Sequence, residues 1–129
     1  MNILYCGDKH IEDGLIISVL SLTEHVGEPL NIYVMTVDLT CGQYDLEPVS
    51  DGVISYLDRT VAERTGGSVK KLDVTDIFMR ELPAANMETR FTPCCMLRLF
   101  ADEIPEIPER VLYLDNDVVA RMDISEFYY

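Results

Sequence analysis

Short apolar runs alternate with helical patterns along this sequence, and the alternation limits the folds that it can adopt. Residues 2–6 form an apolar run that ends at a Gly-Asp pair, and apolar residues then recur at helical spacing over 12–25. A second run, over 30–37, is rich in β-branched and aromatic residues, as strands are. Since parallel strands need crossover connections between them, the alternation predicts an α/β fold with a mostly parallel sheet covered by helices on both faces.

The rest of the chain continues this alternation. No linker, internal repeat or low-complexity tract interrupts it, and 129 residues are enough for one domain with its own core, so residues 1–129 are predicted to form a single domain. The further predicted elements are, in chain order, a helix over 48–66 closed by Gly66-Gly67, a strand over 68–74, a short helix over 75–80, a loop near 83–92, a helix over 93–102 and a strand over 110–114.

The chain is strongly acidic, with 10 lysines and arginines against 23 aspartates and glutamates and a net charge of −13. This sign disfavours nucleic acids and anionic membrane surfaces as partners. An anionic ligand such as a phosphate would need a screening charge, most simply a divalent cation. No apolar run approaches the roughly 18 residues of a membrane span. Residues 1–5 also lack the features of a signal peptide, so the cytoplasm is predicted, with a membrane-peripheral position open for a longer protein.

The four cysteines predict neither a disulfide framework nor a zinc site. Cys6, Cys41, Cys94 and Cys95 form no C-x-x-C pair, and the last two are adjacent. Buried, reduced thiols are the expected state.

Two aspartates directly follow the last predicted strand, in the tripeptide Asp115-Asn116-Asp117. In an extended segment alternate side chains point to the same side, about 6.6 Å apart. Asp115 and Asp117 can then aim two carboxylates at one point while Asn116 turns away. Hard oxygen donors at a strand end suit Mg²⁺ or Mn²⁺, which could offset the charge of a diphosphate leaving group. The alternative is a solvated turn, since Asp and Asn are common turn residues.

Three other metal or phosphate motifs fit the sequence less well. An EF-hand loop starting at Asp115 fails at Val119 and Ala120, where an oxygen ligand and a glycine are required. A phosphatase of the haloacid-dehalogenase type shares the Asp-x-Asp pattern, but in that class the motif begins the domain. A receiver domain needs an aspartate at the end of a central strand, and Asp58 lies in a helical pattern instead. No glycine-rich phosphate loop is present in the sequence.

Taken together, several segments resemble the family 8 glycosyltransferases, which include glycogenin and bacterial lipopolysaccharide galactosyl- and glucosyltransferases. Residues 2–8 and 17–22 are similar to that family's first strand and helix. Cys-Met-Leu-Arg-Leu-Phe at 95–100 is similar to its Tyr-Tyr-Arg-Leu segment, and Arg-Val-Leu-Tyr-Leu-Asp-Asn-Asp at 110–117 to its Lys-Val-Leu-Tyr-Leu-Asp-x-Asp signature. The resemblance spans the whole chain and implies a GT-A type nucleotide-diphospho-sugar transferase fold, truncated after the Asp-x-Asp strand.

The resemblance also implies roles for particular residues. Asp115 and Asp117 would hold Mn²⁺, or Mg²⁺, against the diphosphate of a UDP-sugar. Asp8 would hydrogen-bond the uracil ring, and Arg98 would hold the donor sugar and its phosphates. No residue is implied as the catalytic nucleophile or base. The donor- and nucleotide-binding residues so implied are Cys6, Gly7, Asp8, His10, Arg98 and Asn116.

The sequence departs from the family pattern at three places. His10 stands where the family usually has Asn, and Met96-Leu97 replace an aromatic pair. The family's third metal ligand, a histidine in a His-x-x-Gly-x-x-Lys-Pro-Trp segment, has no counterpart before Tyr129. Each implied residue also has a purely structural alternative: Asp8 as a strand terminator, His10 as a surface residue, and Arg98 as an ion-pair partner of Asp102 at helical spacing.

The sequence therefore predicts the nucleotide-sugar-binding half of a retaining, metal-dependent glycosyltransferase, inactive by itself. Such an enzyme transfers a hexose from a UDP-sugar to a hydroxyl of a carbohydrate, lipopolysaccharide or protein acceptor. The alternative is a non-catalytic fragment or truncated gene product that binds UDP and a metal. A homo-oligomer could cover apolar surface that the other half of the enzyme would bury.

Overall fold

The computed structural model describes residues 1–41, 44–81 and 93–129. The predicted loop near 83–92 lies outside the described residues. The elements are, in chain order, β1 (Asn2–Cys6), a 3-10 turn (Lys9–Ile11), α1 (Glu12–His25), β2 (Asn31–Thr36), β3 (Leu39–Cys41), β4 (Tyr44–Leu46), α2 (Asp51–Thr65), β5 (Ser68–Asp73), α3 (Thr75–Arg80), a longer 3-10 helix (Pro93–Glu103), β6 (Leu112–Tyr113) and α4 (Ser125–Tyr128).

Four strands form a parallel sheet in the order β5-β2-β1-β6. β1 pairs with β2 along its whole length and with β6 through Ile3 and Leu4. β2 pairs with β5 on its other side. The predicted parallel sheet is therefore confirmed. The antiparallel pair of β3 and β4, which forms a separate two-stranded sheet, was not predicted.

The sheet separates two apolar cores. Tyr5 of β1 packs in the first core, with Leu15 of α1 and Leu57 of α2. Leu4, which points to the opposite side of the strand, packs in the second core with Leu97 of the 3-10 helix. Both faces of the sheet are covered, as its near-continuous apolar strands predict.

Helix α2 begins and ends with caps that its sequence provides. The Ser50 hydroxyl accepts a hydrogen bond from the Val53 amide at 3.4 Å, which satisfies one of the free amides of the first turn. Gly66 follows the helix in the left-handed conformation, with φ of 75°, where a side chain is disfavoured. The predicted glycine cap is confirmed, although the helix begins at Asp51 rather than at residue 48.

Two predicted elements differ from those observed. The segment after Pro93 is a 3-10 helix rather than an α-helix, and its buried Cys94 and Leu97 are three residues apart, which aligns them on one side of such a helix. The strand predicted over 110–114 is paired only at Leu112–Tyr113. The Arg110 carbonyl accepts instead from the side chains of Asn2 and Tyr128, both at 3.1 Å, so the strand pairing does not extend back to it.

Candidate functional site

The order of strands reverses between β1 and β6. The chain runs from β1 to β2 and then to β5 on one side of β1, and β6 joins on the other side. In open parallel sheets, ligands bind in the crevice outside the carboxyl ends of the strands at such a reversal. Residues 6–10 follow the end of β1 and residues 114–117 follow the end of β6. Together they include every site residue predicted from the sequence except Arg98.

Gly7 and Asp8 leave the end of β1 in a tightly packed turn. The Gly7 amide donates to the Met35 carbonyl of β2 at 3.1 Å, which continues the pairing of the strands. A Cβ atom on Gly7 would lie 2.6 Å from the Ile11 side chain, so only glycine fits without a shift. Asp8 is buried, with 6% of its surface exposed.

Asp8 and His10 form a hydrogen-bonded pair. One oxygen of the Asp8 carboxylate accepts from the His10 amide at 3.2 Å, and the other lies 2.9 Å from Nδ1 of the His10 ring. The ring itself projects into solvent, with 83% of the His10 side chain exposed against 8% for Asp8. The hydrogen bond to Asp8 and the charge of that carboxylate raise the pKa of His10 above its usual value. The buried carboxylate thus holds an exposed imidazole.

His10 lies on an open cleft between the 3-10 turn and the β3–β4 pair. The cleft has a volume of ≈ 420 Å³, and its described lining residues are Lys9, His10, Asp45 and Glu47. The Lys9 ammonium forms an ion pair with Glu47 at 2.9 Å. The described walls of the cleft therefore carry both signs of charge.

Asp115 and Asp117 lie in a turn rather than in an extended strand. The Val118 amide donates to the Asp115 carbonyl at 3.1 Å, which closes a turn with Asn116 and Asp117 at its centre. The geometric argument from an extended segment is therefore wrong, because β6 ends at Tyr113. Both carboxylates are exposed, as the solvated-turn interpretation also predicts.

Tyr113 connects Asp115 with Arg98. The Tyr113 hydroxyl donates to Oδ1 of Asp115 at 2.7 Å, and the Arg98 guanidinium lies 4.6 Å from the centroid of the Tyr113 ring. Burial and the hydrogen bond to Asp115 raise the pKa of Tyr113, so its hydroxyl stays protonated and keeps donating. Arg98 Nε also donates to the Cys95 carbonyl at 3.0 Å. Among the described residues no ion pair joins Arg98 to Asp102, so that alternative for Arg98 is not observed.

Cys6 lies beside this group, at the end of β1. Burial raises the pKa of the Cys6 thiol to about 12, against a smaller opposing effect of Arg98, and the charge of Asp115 acts in the same direction as burial. Cys6, Arg98 and Asp115 are thus close enough to interact electrostatically. Cys6, Cys94 and Cys95 are not in disulfides. Cys94 is buried, as predicted, whereas Cys6 and Cys95 are half-buried, and the side chain of Cys41 lies outside the described residues.

Asn116 packs against the first turn of α1. A Cβ atom on Gly14 would lie 2.6 Å from both Nδ2 and the carbonyl oxygen of Asn116. The Asn116 side chain therefore turns towards α1, and the glycine allows the two segments to approach this closely. A contact between Asn116 and a donor nucleotide stays a prediction.

A divalent cation at the end of β6 would have to share its ligands with a phosphate. Within the described ranges, no group of three or more His, Cys, Asp and Glu side chains could hold a metal ion by itself. Mg²⁺ at phosphate sites is nevertheless commonly held by one or two carboxylates together with the phosphates. Asp115 and Asp117 supply two such oxygen donors, and Asp117 has no hydrogen-bond partner in the described part of the chain.

Two residues of this site were missed from the sequence. Tyr113 stands two residues before Asp115, and alternate residues of a strand share a face, so the pattern itself placed its hydroxyl near the carboxylate. Gly14 stands inside a helical pattern, where a glycine costs stability, and such a glycine often marks a close approach of another segment.

Two crystal structures of the galactosyltransferase LgtC resemble this chain. The structure with donor and acceptor sugar analogues matches with a TM-score of 0.70 at 19% identity, covering 98% of this chain and 41% of that chain. The structure of an active-site mutant matches with a TM-score of 0.68 at 19% identity and with the same coverage, 98% and 41%. No protein-family model matches the sequence, and no match is found among curated proteins.

The chain therefore has the GT-A fold of these glycosyltransferases, and the predicted fold class is confirmed. It spans 41% of the length of the LgtC chains that it matches. At 19% identity the likeness establishes the fold, and the chemistry has to be argued from the site. No described helix is both long enough and apolar enough to span a membrane.

Proposed function

We propose that this chain is the donor-binding part of a retaining, metal-dependent glycosyltransferase that transfers a hexose from a UDP-sugar to an acceptor hydroxyl. The observation that carries the proposal is the contact of Tyr113 with both Asp115 and Arg98, beside the strand-order reversal where α/β sheets bind ligands; Asp117 lies in the same turn as Asp115. The same fold occurs in LgtC, whose crystal structure contains donor and acceptor sugar analogues.

Each residue at the end of β6 has a distinct part in this proposal. Asp115 and Asp117 would hold Mn²⁺ or Mg²⁺, which supplies positive charge to the departing diphosphate. Tyr113 fixes one oxygen of Asp115 and leaves the other free to bind. Arg98 offers a planar set of N–H donors that suits phosphate or sugar oxygens. The backbone at Cys6 and Gly7 would pack against the nucleoside.

The electrostatics of the chain support a requirement for a cation. The net charge is −13, and the crevice itself carries Asp8, Asp115 and Asp117. A diphosphate approaching these carboxylates is repelled unless a positive charge offsets them. Arg98 supplies one positive charge, and a divalent ion held by the exposed pair would supply two more.

No side chain of the described residues is assigned as a nucleophile or a general base. Their contribution is the positioning of the donor and the electrostatic stabilisation of its leaving group. The acceptor in this proposal is a carbohydrate, a lipopolysaccharide or a protein. The enzyme is placed in the cytoplasm, with a peripheral membrane position where the acceptor is a lipid-linked saccharide.

A second candidate is a chain that binds UDP and a cation without turnover, alone or as a homo-oligomer. It requires only the residues that would hold the donor and the cation, and these lie in the described part of the chain. An assay of sugar transfer separates the two candidates, since both predict the same metal-dependent binding of UDP.

Calorimetric titration with UDP, with and without Mn²⁺, tests the shared donor site. We expect binding that requires Mn²⁺ and that weakens by at least about tenfold in Asp117→Asn, because loss of a ligand costs at least as much as loss of a residue that supports one. Asp76→Asn, the same change at an exposed aspartate of α3, is the matched control and should bind like the wild type. Tight binding of UDP without metal, unchanged in Asp117→Asn, would overturn the proposal.

A further inference from the structure

Each oxygen of the Asp8 carboxylate has a hydrogen-bond partner within the chain. Its two oxygens accept from the amide and the ring of His10, at 3.2 Å and 2.9 Å, and Asp8 is 6% exposed. The side chain that projects into solvent beside Asp8 is the imidazole, with 83% of the His10 side chain exposed on the ≈ 420 Å³ cleft.

The hydrogen bond to Asp8 also fixes the chemistry of the exposed ring. With Nδ1 engaged as a donor to the carboxylate, Nε2 is the nitrogen that faces outward. In the neutral ring Nε2 can only accept a hydrogen bond. In the protonated ring it carries a hydrogen and can only donate, so the ring selects acceptor oxygens in that state.

The other charges around the ring are largely paired. Lys9, the neighbour in the same 3-10 turn, is held by Glu47 at 2.9 Å, and Asp45 lines the same cleft. Glu12 at the start of α1 accepts from the Ser50 amide at 2.7 Å. Glu47 favours the protonated ring and Lys9 opposes it, both with smaller effects than Asp8.

We propose that Asp8 is a positioning residue and that His10, when protonated, donates from Nε2 to an acceptor oxygen of the bound nucleotide. This inference rests on the proposed function, which places UDP at this edge of the sheet. The acceptor is either a phosphate oxygen or a carbonyl or hydroxyl oxygen of the nucleoside. Affinity for UDP then rises as the pH falls through the pKa of His10, which the hydrogen bond to Asp8 raises above its usual value.

Titration of UDP in the presence of Mn²⁺ at several pH values tests the contact. We expect the affinity of the wild type, relative to His10→Gln, to rise about two- to fivefold between about pH 8 and about pH 6, the range of an exposed ionic contact. Glutamine keeps a polar side chain but does not titrate. The affinity is compared with that of His10→Gln at each pH because UDP and the metal-binding carboxylates also bind protons, which changes the affinity of both proteins.

Proton NMR of the imidazole rings supplies a readout that does not depend on binding affinity. The sequence has two histidines, and His25, whose ring is bonded to the Ser21 carbonyl at 2.8 Å, serves as the internal reference. We expect Asp8→Asn to lower the pKa of His10 without moving that of His25. We expect UDP to raise the pKa of His10 in the wild type.

The outcomes separate this inference from the proposed function. If the affinity relative to His10→Gln rises at low pH for UDP but not for uridine, the acceptor is a phosphate oxygen. If it rises for both, the acceptor is an oxygen of the nucleoside. Either result supports the inference. Metal-dependent UDP binding with the same pH profile in wild type and His10→Gln, or with no change in the His10 signal, overturns the inference alone. No UDP binding at any pH overturns both.

Discussion

The turns that follow β1 and β6 share one backbone hydrogen bond, but their aspartates differ in burial and in hydrogen bonding. The Ile11 amide donates to the Asp8 carbonyl, and the Val118 amide donates to the Asp115 carbonyl, both at 3.1 Å. Asp8 is buried and both of its carboxylate oxygens accept from His10, whereas Asp115 is exposed and has one oxygen held by Tyr113.

The difference follows from the third residue of each turn. At the first turn that residue is His10, whose ring can donate to the aspartate that opens the turn. At the second turn it is Asp117, which has no side-chain donor when ionised. The second turn therefore keeps acceptor oxygens for an external partner. The carboxylates of the second turn are therefore more available to a ligand than that of Asp8.

The largest expected effect is at Gly14 of α1, which lies against Asn116 of the second turn. Alanine normally stabilises a helix interior relative to glycine, but here its Cβ would lie 2.6 Å from the Asn116 carbonyl oxygen. We expect Gly14→Ala to lower the free energy of unfolding by about 1–3 kcal/mol, the usual cost of overpacking. Urea denaturation followed by circular dichroism measures the change.

Gly52→Ala is the matched control for this substitution. Gly52 also lies in a helix, and a Cβ atom there meets nothing within 4 Å. We expect Gly52→Ala to raise the free energy of unfolding by about 0.4–1 kcal/mol, because alanine lowers the conformational entropy of the unfolded chain. Equal effects of the two substitutions would show that α1 and the Asp115–Val118 turn are not in close contact.

Substitution of an aspartate in each of the two turns is expected to change the free energy of unfolding by smaller and unequal amounts. Asp8→Ala removes the side chain that caps the 3-10 turn, and we expect it to cost about 0.5–2 kcal/mol. Asp117→Ala removes an exposed carboxylate without a partner among the described residues, so a change within about 0.5 kcal/mol is expected. Similar losses in the two variants, measured by the same denaturation, would contradict the contrast drawn here.

Much of the fold could be predicted from the sequence, because local patterns determine most of these elements. The bounds of β1 and α1 agree with the predicted ranges, since an apolar run and a helical period are both properties of neighbouring residues. The β3–β4 pair was missed because a strand of three residues is too short to show alternation. The extent of β6 depends on Asn2 and Tyr128, which are distant in sequence from Arg110.

The candidate site, like the fold, could be predicted only in part from the sequence. Its position at the carboxyl ends of two strands follows from the alternation of strands and helices. The pairing of Asp8 with His10 did not follow, because an exposed histidine two residues after an aspartate has many other conformations. The contact between Gly14 and Asn116 joins segments about a hundred residues apart. The only feature of the sequence that indicates it is a glycine inside a helical pattern.

The smallest expected change in stability is that of Tyr113→Phe, which tests whether the hydroxyl prepares Asp115 for a cation. The lost hydrogen bond is exposed to water, so we expect a stability change of about 0.5 kcal/mol or less. The affinity for Mn²⁺ in the presence of UDP should nevertheless fall about tenfold, because the carboxylate loses the group that orients it. Tyr56→Phe, at a half-exposed tyrosine of α2, is the control and should change neither quantity. Unchanged Mn²⁺ affinity in Tyr113→Phe would mean that the Tyr113 hydroxyl does not orient Asp115 for the cation. The exposure of the carboxylates would then be the one difference between the end of β6 and the end of β1 that affects binding.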